Sequence, residues 1–200
     1  MCFTHSFFSS AVSTITIAII CTGCAATSYV NPSFHDADYS SIKPVDSPRA
    51  VVISTIFQTN GKTAKEDLHK IVRRKVMKVL MTTRTFVEPA NIATDSAGRL
   101  DITVNNIFNK GEAIRKGMAT GATFYAAGNE VVDSYEMTVV YKAESGPSIT
   151  KKYRHAIHST LGAHKPPEGM TPLPLRDAFD KVLEDMLLNF LRDLQKEGSL

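Results

Sequence analysis

The sequence predicts an α+β protein: a two-layer sandwich in which a mostly antiparallel sheet of about five strands carries two amphipathic helices on one face. Three observations predict it. Several segments after residue 50 alternate apolar and polar residues, as half-buried strands require. Two other segments repeat apolar residues every three or four positions, as helices with one buried stripe require. The order is strand, helix, four strands, helix, and such helices bury their stripes against the apolar face of such a sheet.

The first strand is Ala50–Phe57, short, apolar and β-branched. Asn60-Gly61 follows as a turn. Thr63 and Glu66 then match a capping box, which satisfies free N–H groups at a helix start. That helix runs to about Met81, with Leu68, Ile71, Val72, Val76, Val79 and Leu80 on one face. A short strand near Thr85–Glu88 is stopped by Pro89. Longer strands follow at Leu100–Phe108, Val131–Tyr141 and Ile149–Leu161. Ser145-Gly146-Pro147 turns the last two into an antiparallel hairpin. A Pro-rich loop, Lys165–Pro174, leads to the final helix, whose stripe is Phe179, Val182, Leu183, Met186, Leu187, Phe190, Leu191 and Leu194. Glu184 and Asp185 fall on its polar side, where solvation is the simplest expectation.

Composition narrows the class. Of 200 residues, 43% are apolar and 22% charged, which are globular proportions. Twenty-three Lys and Arg against 20 Asp and Glu leave +3, too weak a bias to argue for nucleic acid. No long charge-free apolar run occurs outside the N-terminus, which excludes a polytopic membrane protein.

Residues 1–23 contain no Asp, Glu, Lys or Arg, and Ala11–Cys21 is an 11-residue apolar run. That length suits a signal-peptide h-region and is short for a bilayer span. Thr22-Gly23-Cys24-Ala25 then resembles the lipobox of bacterial lipoproteins, although Cys21 stands where Leu is usual and the n-region carries only His5. The resemblance implies cleavage before Cys24, acylation of that residue, and, with Ala25 following, sorting to the periplasmic face of the outer membrane. Cysteine usage agrees. Cys2 and Cys21 would leave with residues 1–23, so the mature chain would hold one cysteine, at its first position. Such a chain has no internal disulfide and no cysteine-based zinc site or catalytic thiol. Residues 24–49, with Pro32, Pro44 and Pro48, read as a lipidated tether, and residues 50–200 as one domain.

Motifs for catalysis are scarce. His155, His158 and His164 cluster in sequence, but positions 155 and 158 of a continuous strand face opposite ways, so they read as structural. There is no G-x-S-x-G elbow, no S-x-x-K, and no phosphate cradle among Gly117, Gly121 and Gly128. The expectation is a non-enzyme without cofactor or metal. Two stretches carry candidate contacts. Arg73, Arg74 and Lys78, beside Lys75, form a basic cluster on the first helix for an anionic partner or lipid, or simply a solvated face. Lys151, Lys152 and Arg154 add a second basic spot. Lys116–Asn129 is rich in small residues and holds Met118, Phe124 and Tyr125, which read as partner contacts or as core plugs.

With Cys24, the strand from Ala50 and its capped helix, the hairpin Asp133–His158 and the final helix, the chain resembles small envelope lipoproteins. Among them are the lipoprotein of the lipopolysaccharide translocon and lipoproteins related to the TolB N-terminal domain. The resemblance covers most of the mature chain in pattern and carries over no functional residue except Cys24. It implies an accessory or assembly factor for a larger envelope complex. The alternative is a binding module for an amphipathic or anionic ligand such as lipid or lipopolysaccharide.

Overall fold

Leu100, Ile102 and Val104 alternate along one strand and pair mostly with apolar residues on the neighbouring strands: Leu100 with Ile53 and Tyr141, Ile102 with Thr55 and Val139, Val104 with Phe57 and Met137. This register puts one apolar face on a continuous sheet, and two helices cover that face. The computed structural model describes residues 27–34, 36–88, 97–108, 129–161 and 165–200.

The strands are β1 (Thr27–Val30), β2 (Arg49–Thr59), β3 (Lys62–Thr63), β4 (Phe86–Val87), β5 (Gly98–Ile107), β6 (Asn129–Lys142) and β7 (Ser148–Leu161). The helices are α1 (Glu66–Thr83) and α2 (Leu175–Lys196), with single 3-10 turns at Pro32–Phe34 and Tyr39–Ser41. The sheet has seven strands in the order β1-β7-β6-β5-β2-β3, with β4 beside β2. β4 and β5 run parallel to β2, and every other pairing is antiparallel. The sheet-plus-helix architecture and the mostly antiparallel pairing are therefore as expected. The strand count is not: β1 and β3, two short strands with no periodicity of their own, raise it from about five to seven.

β3 explains one correction. Asn60 and Gly61, at φ 49° and 76°, make the left-handed two-residue turn that suits a tight hairpin. The hairpin draws Thr63 into the sheet opposite Gln58. Thr63 therefore does not cap α1. The cap position is Lys65 without a side-chain hydrogen bond, and Glu66 and Asp67 instead complement the helix dipole.

β1 explains a larger one. The stretch read as a tether to residue 49 is packed on the domain from Thr27 onward. β1 pairs with β7, and Ser28 exchanges backbone hydrogen bonds with Leu173. The chain then lies along α2. Tyr39 Oη donates to Glu184 (3.0 Å), Asn189 Nδ2 to the Phe34 carbonyl (3.2 Å), Arg192 Nη1 to the Asp36 carbonyl (2.7 Å), and the Lys43 N–H to Gln195 Oε1 (3.0 Å). Ala37 and Ile42 are buried beneath. A Pro- and Ser-rich segment satisfies its backbone groups here on a polar helix side, so it needs no periodicity of its own. Asp185 also departs from expectation: it is 1% exposed rather than solvated, bonded to His155 and Lys181.

Gly98 starts β5 between two neighbours. A Cβ there would stand 2.9 Å from the Lys142 carbonyl oxygen and 3.2 Å from Val51 Cγ1, so only glycine lets the strands close at this point.

Candidate functional site

α1 and α2 lie side by side on the sheet, and their facing turns bring cations from both together. The groove between them, about 620 Å³, is lined by Ile71, Arg74, Lys75 and Lys78 from α1 and by Arg176, Phe179 and Asp180 from α2. Phe179 forms the floor, edge-on to Phe57 (5.9 Å between centroids) and tilted against Tyr135 (5.4 Å). The Lys75 ammonium sits 5.9 Å from the Phe179 ring centre and is ion-paired to Asp180. Even so, burial and the charges of Arg176, Arg74 and Lys78 hold its pKa below the usual lysine value. Arg74, Lys78 and Arg176 have no ion-pair partner among the described residues. Asp177 and Asp180 offset part of this charge, and Arg74, Lys78 and Arg176 give the groove cations for an anion to meet.

Arg74 and Lys78, one turn apart, form a ridge. On its other side lies a second groove of about 460 Å³ with Met77, Met81 and Thr82. Met81 is 69% exposed there, so the ridge offers cations with apolar surface on both flanks.

Arg73, expected as a third anion contact, has another task. Its guanidinium donates to both oxygens of Glu88 (2.6 Å to Oε2) and to the Ile53 carbonyl. This clamps the segment after β4 onto β2. The second basic spot does not join the groove. Lys152 and Arg154 lie on the sheet face away from the helices, Arg154 paired with Glu136, while Lys151 pairs with Glu197 at the far end of α2.

A buried polar group was missed in the sequence. His155 Nδ1 accepts the Ala156 N–H at 2.8 Å, which leaves Nε2 to donate to Asp185 at 3.2 Å. Lys181 donates to the other Asp185 oxygen at 2.8 Å. Burial pulls the Lys181 ammonium down, but that hydrogen bond and the charges of Asp185 and Glu184 outweigh it and raise its pKa. The Phe34 ring lies 5.0 Å from the imidazole. Both ring nitrogens are occupied, so the group ties α2, β7 and the N-terminal segment together. His158 faces the other way, stacked on Tyr29 at 5.0 Å and paired with Glu130. Among the described residues no cluster of His, Cys, Asp and Glu could hold a metal ion. No described helix is long and apolar enough to cross a membrane.

Cys24, Met118, Phe124, Tyr125 and His164 lie outside the described residues. No protein-family model and no curated protein matches the chain. Among solved structures it is similar to one described as an uncharacterized protein, at 14% identity and a TM-score of 0.31, over 79% of this chain and 95% of that one. No role transfers from that likeness.

Proposed function

We propose that the chain is a bacterial envelope lipoprotein, acylated at Cys24 and held on the periplasmic face of the outer membrane. In this reading it is a non-catalytic accessory factor for a larger envelope complex, with its two helices on one face of the sheet as the working surface. It engages an anionic partner through the groove between α1 and α2. The observation that carries this is the trio Arg74, Lys78 and Arg176, without an ion-pair partner among the described residues, lining one groove with Phe179. A second reading places an amphipathic ligand, lipid or lipopolysaccharide, in the same groove; the apolar floor of Ile71 and Phe179 favours it.

The test is a cross-linked pull-down of the tagged full chain from its native envelope, beside the triple variant Arg74→Glu, Lys78→Glu, Arg176→Glu. A cation near an anionic surface contributes about 1 kcal/mol, so neutralising three should weaken capture roughly 100-fold, and reversing them more. A protein partner lost in the variant supports the accessory reading. Co-purifying lipid lost in the variant supports the second. Capture unchanged by the variant refutes the groove.

A further inference from the structure

Only Ala25 and Ala26 separate Cys24 from Thr27, the first residue of β1. Three residue steps span at most about 11 Å in any conformation. β7, to which β1 is paired, is 14 residues long. At about 3.3 Å per residue that is roughly 45 Å. An acyl anchor on Cys24 therefore reaches one end of the sheet and cannot reach the other.

The described residues at that end are distinctive. Thr27 pairs with Thr160, and Thr160 with Glu130, so β1, β6 and β7 end together. Val132 and Ile107 stand near this corner on the sheet face away from the helices; Ile107 pairs with Ser134, two residues along β6 from Val132. They are 43% and 45% exposed. α2 starts at the same end, since Leu173 pairs with Ser28, and its first residue, Leu175, is 54% exposed. At the opposite end lie the Ser145-Gly146-Pro147 turn and the Lys151–Glu197 pair.

Resting on the lipoprotein reading above, the geometry points to end-on docking. The β1–β6–β7 corner, with Val132, Ile107 and Leu175, sits against the bilayer headgroup region. The Ser145 turn points away from it. The partner is the lipid surface itself, which receives apolar side chains that the described residues leave exposed. The short link, in place of a long tether, makes this orientation a property of the fold.

The experiment uses the full chain, processed from its own leader, purified and reconstituted into phosphatidylethanolamine–phosphatidylglycerol vesicles with brominated acyl chains. Cys24 is the last cysteine in the chain, so Val132→Cys, Ile107→Cys and Ser145→Cys each provide one labelling site once Cys24 is acylated. A fluorophore at 132 or 107 is expected to be quenched several-fold more strongly than one at 145. Equal or reversed quenching, with acyl mass on Cys24 confirmed in the same sample, overturns the docking and leaves the anchor standing. Absence of acyl mass on Cys24 overturns the lipoprotein reading and the docking with it.

Discussion

Replacing Asp185 with Ala removes the carboxylate that links His155 to Lys181. His155 is buried, and its Nε2–H is left without an acceptor. An orphaned buried donor costs about 1–3 kcal/mol. Lys181 is about one-third exposed and can turn to water, so its lost ion pair contributes little. Relief of the carboxylate's own desolvation offsets part of the cost. The net expectation is a loss of about 2 kcal/mol. With a urea slope of about 2 kcal/mol/M, that lowers the unfolding midpoint by about 1 M. Asp185→Asn keeps an acceptor for His155 and should lose about half as much. The double variant His155→Leu, Asp185→Leu removes the buried donor together with its acceptor, leaves Lys181 to Glu184 and solvent, and should recover to within about 1 kcal/mol of the parent. Urea unfolding followed by circular dichroism, run as a double-variant cycle, measures all of this. A loss below about 0.5 kcal/mol for Asp185→Ala, or strictly additive single effects, would falsify the buried network as argued.

Gly98→Ala should cost about 1–3 kcal/mol, because its Cβ meets the Lys142 carbonyl oxygen; an unchanged melting temperature would show that β5 is not held so closely. Arg73→Ala should lower stability by about 1 kcal/mol and leave anion capture intact, since Arg73 serves Glu88 and the Ile53 carbonyl; reduced capture at unchanged stability would return it to the anion site. Alkaline pH should unfold the domain. Burial, with hydrogen bonds to Glu130 and Glu184, pushes the Tyr29 and Tyr39 hydroxyls up to about 12, and burial with the charge of Asp133 does the same for Tyr135. Their folded values lie above the ordinary 10.0, so the stability they add is fully present below pH 10 and is lost as pH rises toward 12. Tyrosinate absorbance and circular dichroism should therefore change together, and ionisation near pH 10 in an intact fold would contradict it.

What was legible in the sequence is what periodicity encodes. α2 and the β6–β7 hairpin stand close to where their stripes placed them, since a long apolar stripe has one way to be buried. β1 was not legible. Four residues carry no alternation, and they are ordered by pairing with β7, far along the chain. The polar side of α2 misled for the same reason. A helical wheel does not separate a side wetted by solvent from one satisfied by another segment, and Asp185 belongs to the second kind. In the groove, Arg74 and Lys78 were visible from their spacing, while Arg176 was not, because only the packing of α1 on α2 brings it there. Arg73 looked like their companion because its partner Glu88 lies fifteen residues away in a different element.

The pairing of β1 with β7 also sets an order of assembly. The Ser28 and Ser159 hydroxyls meet at 2.9 Å across 131 residues. Closing a loop of that length costs about 4 kcal/mol of chain entropy beyond a constant, whereas the β6–β7 hairpin closes through a short turn. The hairpin is thus expected to form first and to wait for the N-terminal strand to return. The strand nearest the N-terminus among the described residues is sealed last, and until it arrives the outer edge of β7 is open to a strand from any neighbouring chain.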